Sequence, residues 1–281
     1  MRWWVVGAAG MLGQDLVDVL RARGDEARAL DRDTVDITDP AAVAALAGDV
    51  DVVVNCAAWT AVDDAETREA DAFRVNAVGP ANLATLATAR GARLVQISTD
   101  YVFAGDADEP YAADAPVDPR SAYGRTKAAG EWAVRATGPD HLVVRTAWLY
   151  GARGACFPKT MARLVRERGG VSVVDDQVGQ PTWTRDVADL VVRLVDADAP
   201  GGTYHATSQG QTSWRGFAQA VVAADGGDPE VVAPTTSEAF VRPAPRPAYS
   251  VLSHDTVRAA GVEPIGPWEE RWALAAPSVL A

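Results

Sequence analysis

The sequence contains few of the residues that form disulfides or bind metals. Its 281 residues include two cysteines, three histidines and three methionines. Cys56 and Cys156 do not have the spacing of a metal-ligand pair, and two thiols are too few for a disulfide framework. This usage favours a reducing compartment, so we expect a cytoplasmic protein without a metal. None of the histidines falls in a motif, which disfavours a histidine mechanism.

The chain also lacks long apolar runs and an excess of positive charge. The N-terminal run in MRWWVVGAAG is too short to span a bilayer and leads directly into a glycine turn. The net charge of -12 disfavours nucleic acid and anionic membranes as partners. A site for an anionic substrate would have to be locally positive. The sequence leaves the choice between a monomer and a homodimer open.

Strand-like and helix-like segments alternate through the first half of the chain. Strands are predicted at residues 2–6, 27–30, 51–55, 93–98 and 141–148, and helices at 12–23, from Pro40, at 66–90 and at 123–137. The apolar run of residues 51–55 is typical of a parallel strand covered on both faces. Repeated strand–helix units predict an α/β fold with a doubly wound, Rossmann-like parallel sheet. The helix over 66–90 has a possible break at Gly79–Pro80.

The pattern becomes less regular after about residue 148. Helices are predicted at 157–168, 185–196 and 213–224, and Gly- and Pro-rich segments such as GQPTW and VRPAPRPAY separate them. We therefore predict a dinucleotide-binding domain over residues 1–148. The rest, 149–281, is predicted to be a smaller mixed α/β substrate domain with segments that return to the main sheet.

A glycine-rich segment, GAAGMLG, lies between the first strand and the first helix. It places Gly7, Gly10 and Gly13 around Met11 and Leu12. Glycines allow a sharp turn and let a pyrophosphate approach the free N–H groups of a helix N-terminus. The alternative is a purely structural turn, but the position between strand and helix favours a dinucleotide cofactor.

Two charged residues at the end of the second strand bear on the choice of cofactor. Asp31 can accept hydrogen bonds from the hydroxyls of an adenosine ribose, which favours NADH. Arg32, its neighbour, can pair with a 2′-phosphate, which favours NADPH. The sequence therefore leaves NADPH or NADH open as the cofactor.

The segment YGRTK places Tyr123 and Lys127 four residues apart, on one face of a predicted helix. The ammonium is expected to lower the tyrosine pKa, so that the phenol can exchange a proton near neutral pH. The alternative is a purely structural role, in which Tyr123 packs under a loop and Lys127 is an exposed helix lysine paired with Glu131. Ser98 and Thr99 end the fourth strand at the edge where ligands bind in open α/β sheets, and there the Thr99 hydroxyl can steady a carbonyl oxygen.

Several motifs together resemble the extended short-chain dehydrogenase/reductases. They are GAAGMLG, NCAAWTAVDDAE, FRVNAVGPANLA, STDYVFAG, YGRTKAAGE, VVRTAWLYG and DDQVGQPT, with a weaker match in RPAYSVLSHD. Within this family they are similar to reductases of dTDP-linked 4-keto-6-deoxy-L-sugars. The resemblance implies reduction of the 4-keto group by NAD(P)H to give dTDP-L-rhamnose, with a small-molecule nucleotide sugar as substrate.

The resemblance also implies roles for individual residues. The catalytic residues would be Thr99, Tyr123 and Lys127, with Tyr123 protonating O4. Cofactor binding would involve Gly7, Gly10, Met11, Leu12, Gly13, Asp31, Arg32, Asp36, Ile37, Asn55, Ala57, Ala58, Ser98, Tyr123 and Lys127. Substrate binding would involve Thr60, Val62, Thr99, Asp100, Tyr101, Tyr123, Trp148, Lys159 and Arg246, the last two as cations for the diphosphate.

Other functions remain open at this stage. A 4-ketoreductase for another nucleotide-linked deoxysugar would use the same triad, and a nucleotide-binding regulatory subunit would not turn over. A dehydratase is disfavoured, because Tyr101 stands where a second acid would follow Asp100. Some relatives bind a metal at a dimer contact. Asp15 fits one such ligand position, whereas Arg185 stands where an acid is needed.

Overall fold

The computed structural model describes residues 1–281. The strands are β1 (Arg2–Val6), β2 (Glu26–Leu30), β3 (Val52–Asn55), β4 (Arg93–Thr99), β5 (Leu142–Thr146), β6 (Leu149–Tyr150), β7 (Val171–Val174), β8 (Val178–Gly179), β9 (Thr182–Trp183), β10 (Gly202–His205), β11 (Ser208–Gln209), β12 (Thr212–Ser213), β13 (Val232–Thr235) and β14 (Ile265–Pro267). The helices are α1 (Met11–Ala22), α2 (Pro40–Ala44), α3 (Val62–Ala65), α4 (Glu69–Phe73), α5 (Gly79–Ala89), α6 (Ala122–Thr137), α7 (Phe157–Arg168), α8 (Thr184–Asp196), α9 (Trp214–Ala224), α10 (Asp255–Ala259) and α11 (Trp268–Val279). None of these helices has the length and apolar character needed to cross a membrane.

Six strands form the central parallel sheet, in the order β10-β5-β4-β3-β1-β2. The strand order reverses at β1, which pairs with β2 on one side and with β3 on the other. Ligands of open α/β sheets bind beyond the carboxyl ends of the strands at such a reversal. The predicted doubly wound α/β fold is confirmed, and its topology sets the position of the site.

Alternate residues of β1 show why the sheet is covered on both faces. Trp3 and Val5 belong to a buried cluster with α1 and α8, whereas Trp4 and Val6 belong to a cluster with α5. All four side chains are at most 2% exposed. Their burial on both sides accounts for the continuous apolar run in the sequence.

The chain after residue 148 contributes to the main sheet and also builds a separate core. Strand β10 pairs in parallel with β5, and α8 packs on the same sheet face as α1. Helices α7, α9 and α11 enclose a smaller cluster that includes Phe217, Trp268 and Trp272. The division into domains at residue 148 stays a prediction.

The predicted helix over residues 66–90 is confirmed as a helical run from Glu69 to Ala89, and its irregular part ends directly before the predicted break at Gly79–Pro80. The segment contains α4, a π-helical turn at Arg74–Val78, and α5. The wide turn directs Asn76 inward, where its Oδ1 accepts a hydrogen bond from the Trp59 N–H at 2.8 Å and its Nδ2 donates to Thr126 Oγ1 at 3.0 Å. Such π turns recur at functional sites, and this one ties the loop after β3 to α6.

The final helix, α11, was not predicted at all. It ends in a segment containing Pro277, and proline within a helix is normally a breaking signal. Its Trp268 and Trp272 complete the smaller core, so tertiary packing stabilises the helix.

Candidate active site

A cleft of about 1160 Å³ opens at the carboxyl edge of the central sheet. It runs from the glycine turn after β1 to the segment after β5. The predicted site residues that line it are Gly7, Gly10, Met11, Leu12, Gly13, Asp31, Arg32, Asp36, Ile37, Ala57, Ala58, Thr60, Val62, Ser98, Thr99, Asp100, Tyr101, Tyr123, Lys127 and Trp148. Asn55, Lys159 and Arg246 lie outside this lining.

The glycine turn is shaped by close backbone contacts. Gly7 has a φ of +76°, and a Cβ on it would lie 2.5 Å from the Ala57 nitrogen. A Cβ on Gly13 would lie 2.3 Å from the Gly7 carbonyl oxygen. Gly10 caps α1 without a side-chain hydrogen bond, so the first N–H groups of the helix are free to bind an anion. This cradle fits the pyrophosphate of a dinucleotide.

Two charged residues in the loop after β2, Asp31 and Arg32, have different surroundings. Asp31 Oδ1 accepts hydrogen bonds from the Asp33 and Thr34 N–H groups, both at 3.1 Å, so one carboxylate oxygen holds the loop. Arg32 is exposed at the cleft and makes no hydrogen bond or ion pair within the chain. The carboxylate keeps one oxygen for a ribose, and the guanidinium is available for a phosphate.

Asn55 differs from its predicted position in the cleft wall. It is fully buried, its Nδ2 donates to Gln96 Oε1 at 2.8 Å, and its Oδ1 accepts from the Ala57 N–H at 3.1 Å. The side chain therefore lies beneath the cleft and fixes the turn that carries Ala57 and Ala58.

The end of β4 presents Thr99 between two polar neighbours. Its hydroxyl donates to Asp100 Oδ1 at 2.9 Å and accepts from the Tyr101 N–H at 3.3 Å. Burial raises the pKa of Asp100 to about 6, against the opposing effect of the Ser250 and Thr99 hydroxyls. Near neutral pH the carboxylate is mostly charged and orients the Thr99 hydroxyl.

Tyr123 lies on the first turn of α6, facing this strand end. Ser121 caps the helix by accepting a hydrogen bond from the Gly124 N–H at 3.1 Å. A Cβ on Gly124 would lie 2.2 Å from the Tyr101 carbonyl oxygen, so glycine lets the helix approach the turn after β4. The rings of Tyr101 and Tyr123 then meet edge to face, with centroids 5.6 Å apart.

The expectation that Lys127 lowers the pKa of Tyr123 is wrong for this structure. Burial raises the pKa of Tyr123 above its usual value, the Asp100 charge adds to that shift, and the Thr99 hydroxyl opposes it. Lys127 is not among the groups that shift it. Tyr123 therefore holds its proton at neutral pH, which suits a proton donor.

Lys127 is a buried cation and not an exposed helix lysine. It is 4% exposed, and its Nζ donates to the Ile97 carbonyl oxygen at 2.7 Å. Burial lowers its pKa to about 8, whereas the charge of Glu131 opposes that shift. An ammonium has three donors, so two remain for ligand hydroxyls. Cys56 also lines the cleft, and burial raises the pKa of its thiol to about 12.

Sequence reasoning missed the part played by Glu131. Its carboxylate is 1% exposed and accepts from Ser98 Oγ at 2.6 Å, from Arg145 Nε at 2.9 Å and from Arg145 Nη2 at 2.7 Å. Arg135 adds a further contact at 3.0 Å. The network joins α6, which carries Tyr123, to β4 and β5. The spacing of Glu131 from Lys127 was visible, but not its partner on β5.

The far end of the cleft is formed by aromatic side chains. Trp148 and Trp214 stack with centroids 3.6 Å apart and an interplanar angle of 7°, and both line the cleft. Trp214 had no predicted function, and no spacing in the sequence indicates that it meets Trp148.

The two cations predicted for the diphosphate are held by other groups. Lys159 Nζ donates to the Ala152 carbonyl oxygen at 2.6 Å and to the Gly154 carbonyl oxygen at 3.2 Å. Arg246 pairs with Asp63 at 2.9 Å. Burial raises the pKa of Tyr101 and the Arg246 charge opposes that rise, so Arg246 lies near the cleft wall.

The possible metal ligand Asp15 has another partner. Its Oδ2 accepts the Thr184 hydroxyl hydrogen bond at 2.5 Å, and burial raises its pKa. The three histidines lie outside the cleft lining.

A doubly wound sheet with a glycine turn, and with threonine, tyrosine and lysine converging at one strand edge, defines an oxidoreductase of the extended short-chain dehydrogenase/reductase class. Comparison with known proteins narrows this class. The chain matches the model of the family described as "RmlD substrate binding domain" over residues 1–279, and it belongs to this family.

Three similar proteins illustrate the family. A dTDP-4-dehydrorhamnose reductase from Streptomyces griseus is 51% identical over 95% of this chain and 90% of its own length. A probable dTDP-4,6-dihydroxy-2-methyloxan-3-one 4-ketoreductase from Streptomyces antibioticus is 49% identical over 100% of this chain and 96% of its own. The solved structure of a dTDP-4-dehydrorhamnose reductase from Bacillus anthracis in complex with NADP is 36% identical, covers 98% of both chains and gives a TM-score of 0.92.

Proposed function

We propose that the protein reduces the 4-keto group of a dTDP-linked 4-keto-6-deoxy-L-sugar with NAD(P)H and so forms dTDP-L-rhamnose. The observation that carries this proposal is the convergence of Thr99, Tyr123 and Lys127 in one cleft that begins at the glycine turn. The similarity to reductases that act on dTDP-linked keto sugars supports the choice of substrate.

The residues present fit a nicotinamide dinucleotide. A side chain on Gly7 or Gly13 would collide with the backbone of the turn. Because both positions are glycines, the approach to the α1 N-terminus is free of side chains and open to a pyrophosphate. Lys127 retains two N–H donors for the hydroxyls of a ribose next to Tyr123. A bound reduced nicotinamide supplies the hydride that carbon C4 of the sugar accepts.

The protein supplies the proton and the orientation. Tyr123 holds its proton because burial raises its pKa, and it gives this proton to O4 as the carbonyl becomes an alcohol. The Thr99 hydroxyl is a second donor for the same oxygen once it turns from Asp100. Glu131 links α6 to β4 through Ser98 and to β5 through Arg145, so the helix that carries Tyr123 keeps its position against the sheet.

A second candidate is a 4-ketoreductase for a different dTDP-linked deoxysugar. The Streptomyces antibioticus relative favours it, because it matches the whole of this chain and is named for another keto sugar. The same catalytic residues serve both substrates, so the distinction rests on the aromatic end of the cleft.

The test is product analysis with the purified protein. Incubation with dTDP-6-deoxy-L-lyxo-4-hexulose and NADPH should oxidise the cofactor and give dTDP-L-rhamnose in the NMR spectrum of the product. Formation of the C4 epimer would show that the sugar binds by its other face. Nucleotide binding without cofactor oxidation would contradict the proposal and favour a regulatory subunit.

A further inference from the structure

The cleft continues past the glycine turn towards β2, on the side away from Tyr123. Ile37, Ala57 and Val75 line this part of the cleft and pack in one apolar cluster. They come from the loop after β2, the turn after β3 and the π-helical turn. In the sheet order, β3 and β2 lie on one side of β4, which ends at Thr99. A dinucleotide whose nicotinamide lies next to Tyr123 therefore extends its adenine end onto this apolar patch.

Contacts with α5 fix this patch, which we call the apolar floor (Ile37, Ala57 and Val75). A Cβ on Gly79 would lie 2.5 Å from Ile37 Cδ1, so glycine lets the start of α5 touch the isoleucine. Asn82 Nδ2 donates to the Ile37 carbonyl oxygen at 2.9 Å. The floor thus presents one fixed surface to a flat ring. An adenine stacked on it leaves its other face to solvent or to a side chain from the rim of the cleft.

Two arginines that line the cleft share the carboxylate of Asp71, and only one of them is firmly held. Arg68 donates from Nε and Nη2 to Asp71 Oδ2 at 3.1 and 2.9 Å, and its guanidinium lies over the Trp59 ring, 4.6 Å from the centroid. Arg74 has its only ion pair with Asp71, at 4.0 Å, and its side chain is 72% exposed. It directly precedes Val75 of the apolar floor. Its guanidinium is therefore free to contact a ligand on that floor.

We propose that Arg74 is a cofactor-binding residue: its guanidinium stacks on the adenine of the dinucleotide, on the face opposite to the apolar floor. The proposal rests on the proposed function, since it names a further contact of the same cofactor. A guanidinium is planar and weakly hydrated, so it stacks on flat π systems, whereas a lysine ammonium is a compact, strongly hydrated charge. Arg68 on Trp59 already shows this contact in the same wall of the cleft.

The other use of a free guanidinium here would be an ion pair with the 2′-phosphate of NADPH, as we expect for Arg32. The two uses predict different effects across ligands. Stacking on adenine acts equally on ADP, NADH and NADPH, because all three contain the base. An ion pair with the 2′-phosphate acts on NADPH alone. The position of Arg74 next to the apolar floor favours stacking, and a comparison of the three ligands tests it.

The experiment measures the Kd of ADP, NADH and NADPH by calorimetry for the wild type, Arg74→Ala and Arg74→Lys. Arg258→Ala is the matched control, because Arg258 is 51% exposed, pairs with an aspartate three residues earlier as Arg74 does, and lies outside the cleft lining. We expect R74A to bind all three ligands about tenfold more weakly, or ~1.4 kcal/mol, the scale of stacking on one base. R258A should bind them as the wild type does.

The lysine variant separates stacking from charge. R74K keeps the positive charge but not the planar group, so it should lose nearly as much affinity as R74A, and the loss should persist at about 0.5 M NaCl, where exposed ion pairs are screened. Unchanged affinity for ADP in either Arg74 variant, or a loss confined to NADPH, would overturn the proposal. Wild-type protein that binds NADPH but reduces no keto sugar would contradict the proposed function alone, because the comparison of affinities would still stand.

Discussion

The two ends of the cleft are built in different ways. The end that we propose binds the cofactor consists mainly of backbone from one tight turn, where a Cβ on Gly7 or Gly13 would lie less than 3 Å from backbone atoms. The opposite end, which we propose binds the sugar, consists of side chains from distant segments, with Trp148 stacked on Trp214. A backbone cradle suits one constant ligand, whereas a wall of side chains can change between relatives that reduce different sugars. Thr99, Tyr123 and Lys127 lie where the two ends meet.

The largest effect is expected at this junction. Tyr123→Phe should reduce kcat by about 10²–10⁴-fold, because the ring still packs against Tyr101 but the transferable proton is lost. Binding of NADPH and of dTDP-L-rhamnose should persist, since neither end of the cleft changes. Steady-state kinetics and calorimetry measure these effects, and an unaltered kcat would contradict the role of Tyr123.

The next largest effect is expected for the buried ion pair of Glu131 and Arg145, which joins α6 to β5. Glu131→Gln leaves the buried guanidinium of Arg145 without its charged partner and should lower the free energy of unfolding by about 3–5 kcal/mol. Glu69→Gln is the matched control, because its pair with Arg125 also involves α6 but is exposed and should cost at most about 1 kcal/mol. Equal losses of unfolding free energy for the two variants in urea denaturation would mean that the buried network does not stabilise the fold.

A smaller effect, dependent on pH, is expected at Asp100. Its pKa is raised from 3.8 to about 6 in the folded protein, so the wild type gains stability as the pH falls from about 6 towards 4. Asp100→Asn removes the cost of burying the charge and should stabilise the fold by about 3 kcal/mol at pH 8, at 1.36 kcal/mol per pKa unit. The difference should vanish below pH 4. A constant difference across the pH range in thermal unfolding would contradict this assignment.

The smallest effect is expected at the cofactor end. Arg32→Ala should lower kcat/KM for NADPH by about tenfold, or ~1.4 kcal/mol, and leave the value for NADH nearly unchanged, because the free guanidinium is placed for a 2′-phosphate. In the wild type, Asp31 favours NADH and Arg32 favours NADPH, so we expect kcat/KM for the two cofactors to differ by about tenfold or less. An unchanged ratio in the variant would make Arg32 a solvated loop residue.

The contrast between a local backbone turn and contacts of distant side chains also explains how much of the molecule could be predicted. The glycine turn, β1 to β5 and the Tyr123–Lys127 face follow from local patterns, because hydrophobic period and turn chemistry act between neighbours in sequence. The π turn at Asn76 could not be predicted, since its reason is a contact with Trp59 across the fold. The same holds for the surroundings of Trp148, because Gly179 and Trp214, which pack against its ring, are more than 30 residues away along the chain.

The pKa of Tyr123 is a further case. Sequence spacing placed a cation near the phenol, but the effect of burial, which raises the pKa, exceeds that of any charge. Burial depends on the whole fold, so a spacing of four residues could not reveal it.

The most direct test of the central claim compares two substrates that differ only in the nucleotide. If the cleft of about 1160 Å³ binds cofactor and sugar nucleotide together, remote contacts to the dTDP group position C4 next to Tyr123. The measurement is kcat/KM of the wild type, with NADPH, for the dTDP-linked 4-keto-6-deoxy sugar and for the free 4-keto sugar. We expect at least about a hundredfold preference for the dTDP conjugate, or ~2.8 kcal/mol. Equal values for the two substrates would contradict a nucleotide-sugar reductase.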